Sequence, residues 1–94
     1  MTENKITEDM LNGLYETIAR LNCAEDCRQL FDDLCTYKEL EQMAQRVTAA
    51  KLLLEGKTYA QVIELTDISS ATLSRVSRCV RYGSGGYKKF IKTE

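Results

Sequence analysis

Arg75, Arg78 and Arg81 recur at every third position of a stretch that carries no acidic side chain between Ile68 and Ile91. With Lys88 and Lys89 they make five positive charges, which repel one another unless an anion lies against them. The 3.6-residue period of a helix places Ser70, Ala71, Ser74, Arg75, Arg78 and Arg81 on one face and Leu73, Val76 and Val80 on the other. Small residues in a first turn let the backbone approach base edges, and guanidinium groups bind guanine edges and phosphates. The chemistry these residues suit is recognition of a polyanion. Catalysis has much less to build on, because the chain contains no His, which removes the Ser/His/Asp and Cys/His nucleophilic sites and most metal sites. Cys23, Cys27, Cys35 and Cys79 form no C-x-x-C pair and read as small apolar residues, so no metal is expected. Gly83-Ser84-Gly85-Gly86 follows a helix instead of opening one, and no carboxylate pair is placed for proton chemistry. An enzyme is therefore not expected.

A row of arginines reads a groove only when the elements beneath hold it in place. Thr58-Tyr59-Ala60-Gln61 is a capping box that opens a short helix ending at Leu65. Thr66, Asp67 and Ile68 form the connection, and Ser69 caps a second helix over 70–82. A short capped helix, a three-residue turn and a longer capped helix make the layout of a helix-turn-helix, whose second helix enters the major groove. Val62 and Leu65 are expected to face Leu73, Val76 and Val80, with Ile68 as the plug between the helices. On this layout Arg78 and Arg81 contact phosphate or guanine, Ser70, Ala71 and Ser74 face base edges, and Thr58 and Ser69 present helix N-termini to phosphates. The plainer alternative is that the arginine row is a solvated helix face.

Upstream, Thr36-Tyr37-Lys38-Glu39 is another capping box before a long helix with a stripe of Leu40, Met43, Ala44, Val47, Ala50 and Leu54, closed by Gly56. Leu52 and Leu53 point to either side of that stripe, so this helix end is apolar all round and must be covered on several sides. A first helix is expected from about Glu8, capped by Thr7 and carrying Met10, Leu11, Leu14, Tyr15, Ile18 and Leu21. A short second one carries Cys27, Leu30, Phe31 and Leu34. With no proline and few glycines the fold class is all-α. The Gly83–Gly86 run reads as a helix stop and flexible link, with Tyr87 free to stack on DNA or on a partner subunit.

The 94 residues make one domain, and a chain of that length buries only about 60–65% of its unfolded surface, which makes a second chain plausible. The net charge of −1 hides an uneven distribution: residues 1–41 carry four basic and ten acidic side chains, a net −6, and residues 42–94 nine and four, a net +5. The expected organisation is a dimerisation arm (1–35), a central core helix (36–57), a helix-turn-helix (58–82), and a Gly-rich link with a short basic tail (83–94). No signal segment or apolar run near 18 residues is apparent, so a cytoplasmic protein with no membrane contact is expected.

Ala44-Gln45-Arg46-Val47, Leu52-Leu53-Leu54-Glu55-Gly56 and Ser70-Ala71-Thr72-Leu73-Ser74-Arg75, all within Leu34 to Tyr82, resemble the Trp repressor family of bacterial transcription regulators. The resemblance implies an intertwined all-α homodimer with interlocked N-terminal helices and one helix-turn-helix on each flank. It also implies a sequence-specific repressor of a palindromic double-stranded DNA operator, with half-sites about 34–36 Å apart. In tryptophan-binding members two arginines sandwich the indole; Arg46 and Arg75 stand at the matching places, and Thr36 matches the threonine bordering that pocket. Val76 replaces a glycine that leaves room for the ligand, and Cys79 replaces a serine near its amino group. A buried ammonium without its partner costs several kcal/mol, so the departures argue against tryptophan. A small-molecule corepressor stays open but is not required, and Arg46 and Arg75 have ion pairing with the acidic half as their alternative. The tail is also shorter than the final helix of the family. The rival function is a protein-interaction module that docks the same basic face on an acidic partner.

Overall fold

A computed structural model describes residues 2–93, and the side chains of residues 5–93. The regular elements among them are all helices: α1 (Thr2–Ile18), α2 (Ala24–Leu34), α3 (Tyr37–Leu54), α4 (Tyr59–Thr66), α5 (Ser70–Tyr82) and α6 (Gly86–Phe90). They fall into two compact units, Met1–Thr36 and Tyr37–Glu94.

In the first unit α1 runs through Thr7, which therefore lies inside the helix and is not its cap. No glycine or proline between Thr2 and Thr7 interrupts the backbone, so a cap-type side chain alone does not start the helix there. Beyond Ile18 the chain tightens, with Arg20 N–H donating to the Thr17 carbonyl (3.1 Å) and Leu21 N–H to that of Ile18 (3.0 Å). Glu25 and Asp26 stand in the first turn of α2, where the helix dipole favours them. Asp26 Oδ2 accepts from Asn22 N–H at 3.0 Å. No described side chain of residues 5–36 is buried. Met10 and Tyr15 are 64% and 60% exposed, although they sit on the apolar stripe of α1.

The second unit holds the core, formed by Ala49, Ala50, Val62, Ile68, Leu73 and Val76. Leu52, Leu53, Ile63, Val80, Tyr87 and Ile91 pack around it. The two alanines let α4 and α5 approach α3 closely. This shifts the inward face of α3 from the expected stripe: Ala49 is buried, whereas Ala44 and Val47 are exposed. Alanine carries too little apolar surface for periodicity to choose between the two faces. Leu65 departs as well, at 66% exposed. Val62, Ile63 and Thr66 turn inward, which leaves Leu65 roughly 110° away at 100° per residue.

The C-terminus of α3 closes as the glycine at Gly56 suggests. Lys57 N–H donates to the Leu52 carbonyl and Gly56 N–H to that of Leu53, both at 3.0 Å, with Gly56 at φ +90°; this is a Schellman motif. The last segment is a correction to the sequence reading. Instead of a free link, Gly83–Gly85 leads into the one-turn helix α6; its Tyr87 and the following Ile91 pack against the core. Tyr87 is half-buried there, with part of its ring packed against the core.

Candidate nucleic-acid interface

The two helices over 58–82 are capped as their sequences specify. The Thr58 hydroxyl accepts from Gln61 N–H at 3.2 Å, and Gln61 Oε1 accepts from Thr58 N–H at 2.9 Å, completing the capping box. Ser69 Oγ accepts from Thr72 N–H at 3.1 Å and donates to Thr72 Oγ1 at 2.9 Å. The Ser70 and Ala71 N–H groups, the first two of α5, have no acceptor within the helix and point out of its N-terminus.

Between the helices, Asp67 adopts the left-handed conformation (φ 61°, ψ 20°), which Asp tolerates better than most side chains. The Thr66 hydroxyl bridges the turn: it donates to the Val62 carbonyl at 2.7 Å and accepts from Ile68 N–H at 3.2 Å. Gln45 Nε2 donates to the Thr66 carbonyl at 3.3 Å, fastening the end of α4 to α3. Ile68 is buried as the plug. Sequence reasoning missed Thr66, Asp67 and Gln45 as determinants of this geometry; the only local signal was a Thr-Asp pair, a common turn composition.

α5 separates its faces sharply. Leu73, Val76 and Ser77 are buried, and Val80 is half-buried. Ser70, Ala71, Ser74, Arg75, Arg78 and Arg81 are all exposed, so one helix face brings these six together. Thr58 and Ser69 are also exposed, at the N-termini of α4 and α5. Among the described residues none of the three arginines has a carboxylate within ion-pairing distance. No group of three or more metal-binding side chains lies among the described residues, and no helix there is long and apolar enough to cross a membrane.

A family model described as Trp repressor protein matches residues 9–94. The chain belongs to the Trp repressor family. That is a family of DNA-binding transcription regulators, not of enzymes. Of its relatives, the uncharacterized protein YerC of Bacillus subtilis (strain 168) is 41% identical over 88 residues, 94% of this chain and 85% of YerC. The crystal structure of a candidate Trp repressor from Staphylococcus aureus superposes with a TM-score of 0.87 at 35% identity, covering 100% of this chain and 99% of that one. A TrpR-like protein from Eubacterium eligens ATCC 27750 gives 0.84 at 36% identity, over 92% and 89% of the two chains.

The residues at the positions matching the corepressor pocket of tryptophan-binding Trp repressors lie in different surroundings. Val76 is buried within the core cluster. Cys79 lines an open cavity of ≈ 280 Å³ whose other walls are Gly83, Ser84, Gly86 and Tyr87. Arg46 is half-buried on α3, Arg75 is exposed on α5, and Thr36 is an exposed residue closing the first unit. Among the described residues neither Arg46 nor Arg75 forms an ion pair.

Proposed function

We propose that this Trp repressor family member is a homodimeric, sequence-specific repressor of a palindromic operator, acting in the cytoplasm without tryptophan. The observation that carries the reading is the exposed, acid-free face of α5, whose opposite face is locked into the core through Leu73 and Val76. α4, the turn and α5 act as a helix-turn-helix, with α5 in the major groove and α4 across the backbone. Ser70, Ala71 and Ser74 lie against base edges, and Arg78 and Arg81 reach guanine or phosphate. The N-termini capped by Thr58 and Ser69 meet phosphates through their free N–H groups. At Ser69 the hydroxyl is already engaged with Thr72, so that contact belongs to the N–H groups of Ser70 and Ala71.

The first unit supports a dimer. Thirty-odd residues without one buried side chain recover too little apolar area to offset their conformational entropy, and a second copy offers the same uncovered stripe. Residues 1–35 then form the dimerisation arm, 36–57 the central helix and 58–82 the reading head, the two heads one helical turn of DNA apart, about 34–36 Å. Independence from tryptophan is supported by Val76 and Cys79, which stand where tryptophan-binding members carry a glycine and a serine.

The decisive experiment selects genomic fragments with the purified protein and follows binding of the enriched site against salt. A palindromic site is expected, and Arg78→Ala with Arg81→Ala should flatten the log–log slope by about 0.9 per lost phosphate contact. No enriched sequence, together with unchanged binding by the double variant at every salt concentration, would overturn the DNA reading and favour an acidic protein partner. A rise in thermal midpoint on adding tryptophan would overturn the ligand-free part, since a ligand raises the midpoint by binding the native state.

A further inference from the structure

We propose that α6 is a second phosphate-contacting element, with Lys88 and Lys89 gripping the duplex backbone beyond the stretch read by α5. The inference rests on the DNA-binding reading above and extends its footprint.

Three observations support it. First, α6 is anchored: Tyr87 and Ile91, four residues apart on one side of the turn, pack against the core, and α6 contacts both α3 and α5. Second, the connection is specified by its backbone. A Cβ at Gly83 would run into the Cys79 carbonyl, and Gly85 adopts φ +92°, which L side chains rarely do. Only three residues separate Tyr82 from Gly86, so the start of α6 stays within ~14 Å of the end of α5 by the reach of an extended chain. Third, the outward residues are cationic and uncompensated. Lys88 and Lys89 are exposed, no carboxylate occurs from Ile68 to Ile91, and among the described residues neither lysine forms an ion pair. Lys89 Nζ lies 5.3 Å from the Phe90 ring centroid.

The residue types divide the work. Arginine presents a planar fork suited to guanine edges, whereas lysine is a hydrated point charge on a flexible stem, suited to phosphate irrespective of sequence. Exposed lysines that follow the arginines of α5 within one short connection suit the closely spaced phosphates of a duplex.

The test is Lys88→Ala with Lys89→Ala in the full chain, beside the parent, on the operator found by selection. The thermal midpoint is expected to hold, because both side chains are exposed. Affinity at 0.1 M salt should fall roughly 10–100-fold and the log–log salt slope by about 1.8 per chain, while base preference stays the same. Hydroxyl-radical protection should shorten at the outer edges of the site. If the parent binds an operator and the double variant shows the same slope and footprint, or an altered base preference, this inference is overturned and the DNA-binding reading stands. A parent that selects no sequence removes both.

Discussion

The Ser69 hydroxyl both accepts from Thr72 N–H and donates to Thr72 Oγ1, so in the proposed complex the N-terminus of α5 meets phosphate through its backbone. Ser69→Asp separates capping from binding. Asp caps as well as Ser, so chemical denaturation should show a change within about 0.5 kcal/mol, yet the added carboxylate should weaken operator binding more than tenfold by repelling phosphate. Val76 gives the complementary case, being buried and away from the exposed face. Val76→Ala should cost about 2 kcal/mol of stability, as buried large-to-small substitutions do, measured by urea unfolding. At this scale the exposed residues of α5 were legible in the sequence because thirteen consecutive helical positions fix which side chains share a face. Leu65 was not, because α4 has eight residues and its inward side is Val62 flanked by Ile63 and Thr66, a threonine that composition does not mark as interior.

Between α4 and α5 the relation of one helix to the next depends on few bonds. The Thr66 hydroxyl makes two of them, and each is worth about 0.5–1.5 kcal/mol net. Thr66→Val keeps the shape and removes both, so it should lower stability by about 1–3 kcal/mol in chemical denaturation and reduce operator affinity with α5 still helical by circular dichroism. The boundaries of α4 and α5 were readable because capping is local: the oxygen and the amide it serves lie three residues apart. The start of α1 was not, since Thr7 has the chemistry of a cap while the helix continues back to Thr2. Nor was α6, whose place is set by Tyr87 and Ile91 meeting α3 far away in sequence.

Across the whole molecule the division of charge and the division of burial coincide. The acidic part has no buried side chain among its described residues, and the basic part holds all six core residues. A chain so built should associate. Sedimentation should give twice 10.7 kDa, the thermal midpoint should rise with protein concentration, and Met10→Glu with Tyr15→Glu should return a monomer that no longer binds the operator. The charge split was legible because it needs only counting, and the uncovered arm because its stripe is periodic. The inward face of α3 was not, because Ala49 and Ala50 acquire their role only when α4 and α5 arrive.

Gly83 carries a consequence at the level of the gene. Every missense change of a glycine codon installs a Cβ, and at Gly83 that atom meets the Cys79 carbonyl, whereas at Gly86 it meets open space. Both positions are exposed, so a saturation library should score the first like an interior residue and the second like surface. Between α5 and α6 the coding sequence thus holds two glycine codons closed to missense change, Gly83 by contact and Gly85 by its backbone angle.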